Sequence, residues 1–159
     1  MELAQAKHDE WLGEVVAALE QQLGHDLVAV VLFGSHARDD HREESDWDLL
    51  VIARNLPESP FERGRRLRSW LPPARRAQVS LLAKTPQEFE AAIPDLWLDI
   101  ALDGIVLYDS SGYAAERLEQ LRHLIARKGL VRERLGHDFV WRWRQFPGFA
   151  WTLTWEQAS

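Results

Sequence analysis

The chain has 159 residues, of which 46% are hydrophobic and 28% charged, a mixture typical of one globular domain and not of a disordered, fibrous or coiled-coil protein. The 19 Lys and Arg residues against 25 Asp and Glu give a formal net charge of −6, which disfavours a dedicated nucleic-acid surface. There is no cysteine, which excludes disulfides, thiolate metal sites and cysteine nucleophiles.

The first part of the sequence predicts one helix followed by two strands. Apolar residues recur at helical spacing among polar ones over residues 3–23, the pattern of an amphipathic helix. Leu27–Phe33 is a short apolar run rich in β-branched residues and predicts a buried strand. A polar stretch of ten residues, His36 to Ser45, separates it from a second predicted strand, Asp46–Ile52.

The middle of the sequence alternates helical and strand patterns. Thr85, with Pro86 and Glu88 after it, has the sequence of a capping box and predicts a helix start. The other predicted helices are Phe61–Leu71, Pro94–Asp103 and Ser111–Lys128, and further strands are predicted at Gln78–Ala83 and Ile105–Tyr108. The order of these elements indicates a mixed α/β fold.

The last residues are rich in aromatic side chains and arginine. Val140–Arg144 and Trp151–Trp155 alternate like two strands around a turn at Pro147-Gly148. We expect residues 1–130 to form the main domain, and residues 131–159 an extension that packs on it or on a partner. This extension has four tryptophans, Trp141, Trp143, Trp151 and Trp155. They could complete the core of the domain or contact another protein, including a second copy of this chain.

One segment carries a pattern with chemical meaning. Gly34-Ser35 lies where a buried strand meets a polar turn, and such a pair presents backbone N–H groups and a hydroxyl to a phosphate. Asp46 and Asp48 alternate along the second predicted strand, so they share a face about 6–7 Å apart at the backbone. Two carboxylates with substrate phosphates are the usual ligands of Mg²⁺. The pattern predicts a magnesium site at Asp46 and Asp48 opposite a phosphate site, an arrangement suited to nucleotidyl transfer.

The segment Gly34–Arg38, followed by Ser45–Val51, resembles the signature of the polymerase-beta-type nucleotidyltransferase superfamily, in its branch of minimal nucleotidyltransferases. Weaker similarity runs over residues 27–128. The resemblance implies a short mixed β-sheet flanked by helices, and ATP with magnesium as the donor of AMP. It also implies a HEPN-domain toxin as the partner, so that this chain would be the antitoxin of the pair.

The resemblance also assigns roles to single residues. Gly34 and Ser35 would hold the nucleoside triphosphate, Asp46 and Asp48 the metal ion, and Arg38 would brace the loop or contact phosphate. Asp46 and Asp48 are therefore the predicted catalytic residues as well.

Two positions depart from the family's pattern. Asp39 stands where the family usually has glycine after the arginine, and a negative charge there would weaken phosphate binding. Ser80 stands where members that transfer nucleotides commonly have a third carboxylate. A serine hydroxyl is a poor metal ligand and a poor base, and losing such a group commonly costs about 10²–10⁴-fold in rate.

Three functions follow from these patterns. The first is transfer of AMP from ATP to a hydroxyl, on a HEPN-type toxin that the protein neutralises. The second is an antitoxin that transfers weakly or not at all and acts by stoichiometric binding, as Ser80 suggests. The third is a nucleotidyltransferase acting on a small, aminoglycoside-like hydroxyl compound, for which a short chain offers little room.

Other polar residues are predicted to have structural roles. His36 is most simply a surface or packing residue, since no second histidine stands at metal-ligand spacing. Asp99, Asp103 and Asp109 fit helix-face or capping positions. We expect a solvated basic face from the arginines Arg63, Arg65, Arg66, Arg68, Arg75 and Arg76.

The sequence contains no sign of a membrane segment. Its first residues lack a basic region followed by an apolar run, and no apolar stretch approaches the ~20 residues that a spanning helix needs. We therefore expect a cytoplasmic protein without a membrane partner.

Overall fold

The structure, a computed structural model, describes residues 2–149 and 151–159, with side chains from residue 10 onward. The N-terminal elements are α1 (Glu2–Leu23), β1 (Leu27–Phe33), α2 (Ser35–Arg38), β2 (Trp47–Ala53) and α3 (Pro60–Trp70). The middle elements are β3 (Val79–Lys84), α4 (Pro86–Glu90), α5 (Asp95–Asp103) and β4 (Ile105–Asp109). The C-terminal elements are α6 (Tyr113–Lys128), β5 (Leu130–Leu135), β6 (Asp138–Trp143) and α7 (Trp155–Ala158). Over the described residues, no helix is both long and apolar enough to cross a membrane.

Four strands form one mixed sheet in the order β3-β2-β1-β4. Strand β1 pairs antiparallel with β2 and with β4, whereas β2 and β3 run parallel. Because β1 lies inside the sheet, with its first six residues buried, its sequence is a continuous apolar run rather than an alternating one. The predicted α/β fold, a short mixed sheet flanked by helices, is confirmed.

Helices cover both faces of this sheet and divide the core in two. Leu49 and Val51 of β2 pack with Val15 and Leu19 of α1 and with residues of α3. Their neighbours Leu50 and Ile52 point the other way, toward α4, α5 and α6. Since side chains alternate along a strand, Asp48 lies on the α5–α6 face of β2, at the end where the strand begins.

The C-terminal residues form a separate two-stranded hairpin, β5–β6, whose turn is Gly136–His137. Val140–Arg144 was predicted as a strand, and most of it lies in β6. The prediction of a strand at Trp151–Trp155 is wrong, because residues 151–154 have no regular structure and α7 begins at residue 155. Thr154 and Gln157 form a capping box there, which favours a helix start over a strand.

The tail tryptophans divide between the core and the surface. Trp141, Trp143 and Trp155 are partly buried against the core cluster that contains α5 and α6. Trp151 is 63% exposed, and Phe146 and Phe149 beside it are 75% and 97% exposed. The three partly buried tryptophans therefore complete the protein's own core, whereas the side chains of Phe146, Phe149 and Trp151 remain exposed to solvent.

Three of the arginines predicted to form a solvated face lie in structural positions instead. Arg63 is 7% exposed, donates to Glu88 Oε1 at 2.7 Å and also binds two main-chain carbonyls. Arg68 and Arg76 likewise donate to main-chain carbonyls around the end of α3. The prediction was wrong for these three because their guanidinium groups bind main-chain carbonyl oxygens, those of Pro57 and Ala83 in the case of Arg63. Arg65 and Arg66 are exposed, as predicted.

Candidate functional site

The turn after β1 is shaped around the carboxylate of Asp48. Gly34 follows the strand with φ of 75°, a conformation that a residue with a side chain rarely adopts. Phe33 is the register partner of Asp48 on β2, so the carboxylate is beside the turn. Any Cβ at position 34 would overlap the Asp48 carboxylate. Glycine is therefore required here both by its backbone angle and by the close approach of Asp48.

The two predicted metal ligands lie near each other at the start of β2. The strand begins at Trp47, so Asp46 immediately precedes it rather than opening it as predicted. Asp46 is exposed and Asp48 is half-buried. Burial raises the pKa of Asp48, the negative charge of Asp46 raises it further, and the positive charge of Arg38 partly opposes the rise.

This pair has the donor chemistry of a divalent-cation site. Two carboxylates that repel each other favour binding of a hard cation, which neutralises both. Among the residues that the structure describes, no group of three or more His, Cys, Asp or Glu side chains converges on one point. A cation held by Asp46 and Asp48 would need its other ligands from water and phosphate, which suits Mg²⁺.

Ser80 is the neighbour of Asp48 on the adjacent strand. In the parallel pairing of β2 with β3, Asp48 is the register partner of Ser80. A side chain at position 80 therefore lies next to the half-buried carboxylate. In this chain the group beside the Asp48 carboxylate is therefore the neutral hydroxyl of Ser80.

The backbone at Asp39 has a conformation that suits glycine. Its φ of 62° and ψ of 33° place it in the left-handed region, where glycine has no steric cost and Asp is tolerated. Its side chain is 96% exposed. The carboxylate that was expected to disturb phosphate binding therefore points into solvent.

His36 and Trp47 hold the loop between the turn and β2. The His36 ring stacks between His41 and Trp47, with ring centroids 4.1 and 3.7 Å apart, and His36 Nε2 lies 3.0 Å from the carbonyl oxygen of Ser45. Trp47 in turn packs edge-on against Trp11 of α1 at 5.1 Å. The packing role predicted for His36 is confirmed.

Arg38 braces the loop, one of the two roles predicted for it. Its Nε lies 3.1 Å from Asp40 Oδ2, and Nη1 lies 3.7 Å from Asp103 of α5. Its guanidinium group also lies over the ring of Phe139 in β6, 4.9 Å from the centroid. Contact of Arg38 with phosphate stays a prediction.

The β5–β6 hairpin contacts this loop, and no motif in the sequence indicates these contacts. Arg134 binds Asp40, and Arg42 contacts His137 at the tip of the hairpin. Arg132 anchors the hairpin to α5 by binding Asp99 at 3.2 Å and Asp103 at 2.6 Å. These contacts join residues about 30 to 95 positions apart in sequence, and no local pattern signals them.

The remaining acidic residues have structural partners. Asp99 also accepts a hydrogen bond from Trp141 Nε1 at 3.0 Å. Asp109 accepts hydrogen bonds from the backbone N–H groups of Ala114 and Ala115 in the first turn of α6. The helix-face and capping roles predicted for Asp99, Asp103 and Asp109 are confirmed.

Comparison with known proteins identifies related chains. Residues 14–112 match the family described as Polymerase beta, Nucleotidyltransferase. A protein of Methanocaldococcus jannaschii named a protein adenylyltransferase is 32% identical over 120 residues, which cover 73% of this chain and 82% of that protein.

Solved structures of similar shape were also found. A nucleotidyltransferase structure from Sulfolobus solfataricus is 20% identical, covers 67% of this chain and 84% of its own, and has a TM-score of 0.49. A complex of a tri-AMPylated Shewanella oneidensis HEPN toxin with its MNT antitoxin matches at 18% identity, over 76% of this chain and 92% of that one, with a TM-score of 0.48.

The family match begins within α1 and includes the whole four-stranded sheet and the segment from Gly34 to Asp48. It ends before α6 and before the hairpin. The chain belongs to the polymerase-beta nucleotidyltransferase family.

Proposed function

We propose that the protein is a magnesium-dependent nucleotidyltransferase that moves AMP from ATP to a hydroxyl group on a protein. The observation that carries this proposal is the position of the Asp48 carboxylate, which lies over the glycine turn and interacts with Asp46. In this arrangement a polyphosphate site at the glycine turn would lie next to a cation site at the two carboxylates. The 32% identical relative, named a protein adenylyltransferase, supports AMP as the transferred group and protein as the acceptor.

Each part of the site has a distinct task in this proposal. The turn at Gly34 and Ser35 holds phosphate oxygens, and Asp46 and Asp48 hold Mg²⁺, which when bound neutralises the triphosphate and polarises its α-phosphorus. The acceptor oxygen forms a bond to the α-phosphorus, the bond from that phosphorus to the bridging oxygen breaks, pyrophosphate leaves, and the hydroxyl proton passes to water. The protein's contribution is to position the groups and compensate charge.

We infer that the acceptor is a HEPN-domain toxin and that the chain acts as its antitoxin. In this proposal the transferase domain comprises residues 1–130, and residues 131–159 form an extension that packs on it. The motif resemblance and the family membership support this assignment. The name of the 32% identical relative favours a protein as the acceptor over a small hydroxyl compound.

A transfer assay tests the proposal. Purified chain, Mg²⁺, ATP labelled in its α-phosphate and a candidate HEPN-domain protein are incubated together, and label on the candidate is measured. We expect label with the wild-type chain, loss with Asp48→Asn, and no change with Asp39→Asn, which alters an exposed carboxylate of the same loop. Absence of label with every divalent cation and every candidate would contradict the proposal.

A second function, neutralisation by stoichiometric binding, is favoured by the neutral Ser80 beside Asp48. It predicts that an Asp46→Asn/Asp48→Asn double variant still neutralises the toxin. Removing exposed side chains of the tail, as in Phe149→Ala and Trp151→Ala, would then abolish neutralisation. The opposite pattern, with neutralisation lost in the double variant and retained in the tail variants, supports transfer.

The variant Ser80→Asp separates the two functions further. A carboxylate next to Asp48 would supply a third metal ligand and a base, so we expect AMP transfer to rise by about 10²-fold or more if its absence limits the rate. The transfer assay above measures this gain. An unchanged rate would show that position 80 does not limit transfer.

A further inference from the structure

A basic cavity opens beside the start of α2, between the loop and the tip of the hairpin. Its volume is about 260 Å³, and its lining includes Ser35, Arg38, Asp40, Arg42, Arg134 and His137. Four of these residues come from the loop segment that follows β1, and the last two come from the hairpin. The cavity therefore exists only where the hairpin meets the loop.

The cavity has an excess of positive charge in a chain that is acidic overall. Three guanidinium groups, of Arg38, Arg42 and Arg134, face one carboxylate, that of Asp40, a difference of two positive charges. Asp40 binds both Arg38 and Arg134, and these contacts lower its pKa against the opposing effect of burial, so it stays ionised. It fixes the two guanidinium groups without cancelling the charge of the cluster.

The groups in this cavity match a polyphosphate. Guanidinium groups bind phosphate oxygens through two parallel hydrogen bonds, and several of them are needed to balance a multiply charged chain. Ser35 connects the cavity to the glycine turn, where the α-phosphate side of a nucleotide would meet Asp46 and Asp48. A triphosphate that passes the turn would extend its far end toward the arginines.

We propose that the β5–β6 hairpin supplies Arg134 and His137 to a subsite for the β- and γ-phosphates of the nucleoside triphosphate. The inference rests on the proposed function and names residues beyond the matched family segment, which ends at residue 112. Phe139 supports the subsite, because the guanidinium groups of Arg38, Arg132 and Arg134 all lie within 4.9 Å of its ring centroid. The hairpin is thus part of the donor site and not only a covering of α5.

Binding measurements with three ligands test the subsite. The dissociation constants of ATP, AMP and inorganic triphosphate are measured by calorimetry, with Mg²⁺ present, for the full-length chain and its variants. We expect Arg134→Met to weaken binding of ATP and of inorganic triphosphate about tenfold or more, and His137→Gln to weaken it less. AMP lacks the two outer phosphates, so its affinity should change less than about twofold.

Arg142→Met is the matched control. Arg142 is also on the hairpin and pairs with Glu133 at 3.1 Å, but it does not line the cavity. Its variant should bind all three ligands as the wild type does. Arg134→Lys keeps the charge and loses the forked geometry, so we expect an intermediate loss, and this variant carries the test if Arg134→Met fails to fold.

The outcomes separate the subsite from the transfer reaction. Wild-type affinity for ATP in the Arg134 variants, or equal losses for ATP and AMP, would overturn the subsite, as would a wild-type chain that binds no triphosphate. Selective loss of triphosphate binding in the variants supports it. If the wild-type chain binds ATP in this way but labels no acceptor, the proposed function fails while the subsite stands.

Discussion

Two acidic side chains in this protein respond to their surroundings in opposite ways. Half-burial and the neighbouring charge of Asp46 raise the pKa of Asp48. At the start of α4, the Arg63 guanidinium and the backbone N–H of Thr85 bind the Glu88 carboxylate and lower its pKa to about 2. The ion pair of Glu88 with Arg63 therefore stabilises the fold. Asp46 and Asp48 instead repel each other, and a bound cation can offset this repulsion.

The largest expected effect separates activity from stability at the turn. Asp48→Asn removes like-charge repulsion and keeps the side-chain shape, so we expect an unchanged or higher melting temperature together with a fall in AMP transfer of at least about 100-fold. Thermal unfolding and the labelling assay give the two numbers. A melting temperature that falls along with activity would mean that Asp48 serves the fold, and the contrast with Glu88 would fail.

At the start of α4, removal of Arg63, the partner of Glu88, should lower the stability of the fold. Arg63→Met removes the donor of two main-chain carbonyls and leaves the half-exposed carboxylate only its hydrogen bond from the Thr85 N–H, so we expect a loss of about 2–4 kcal/mol in the free energy of unfolding. Arg65→Met, on the same helix but exposed and paired only across one turn, should lower the free energy of unfolding far less, because solvent screens an exposed ion pair. Urea unfolding measures both. Equal costs would show that the Arg63 contacts do not stabilise α3 against α4.

The lowered pKa of Glu88 predicts a pH dependence of stability. Since its folded-state pKa of about 2 lies below the ordinary 4.5, its contribution is complete above pH 4.5 and is lost as the pH falls toward 2. With 41% of the side chain exposed, solvent screening reduces this contribution to about 1 kcal/mol. Unfolding measured across that interval should show a shallower loss in Glu88→Gln than in the wild type. Parallel curves would contradict the pairing.

The smallest expected effect concerns the backbone of the loop. Asp39 has a positive φ, so Asp39→Gly should relieve strain and raise the free energy of unfolding by about 0.5 kcal/mol, less the entropy that glycine adds to the unfolded chain. Asp39→Ala removes the same charge but keeps a Cβ, and it should lower stability. If both variants change stability alike, the charge and not the backbone angle is responsible.

The sheet and the turn could be predicted because their signals are local. Leu27–Phe33 is a strand with the predicted bounds, and the capping box of Thr85 and Glu88 is present. Strand β2 starts one residue later than predicted, at Trp47. The apolar run, the glycine after it and the alternating acids each act over a few residues, so the sequence alone predicts β1, the turn at Gly34 and the acids at the start of β2. The contact of the turn with Asp48 depends on the antiparallel pairing of β1 with β2.

The C-terminal region could not be predicted in the same way. Alternation in Trp151–Trp155 resembles a strand, but none of the described strands pairs with it, and the capping box of Thr154 is the signal that indicates a helix start. The positions of Arg63 and Arg134 depend on Glu88 and Asp40, which are 25 and 94 residues away in sequence. Charge alone predicts solvent exposure for such residues, and their partners are known only once the chain has folded.

Cation binding by the acidic pair is the most direct test of the central claim. Mn²⁺, which electron paramagnetic resonance detects, is titrated into the protein with a non-hydrolysable ATP analogue, for the wild type, Asp46→Asn, Asp48→Asn and the exposed-loop control Asp39→Asn. We expect one Mn²⁺ to bind the wild type and the control with equal affinity, and a loss of about tenfold or more in each of the other two variants. Equal Mn²⁺ affinity in all four proteins would contradict the assignment of Asp46 and Asp48 as the metal site.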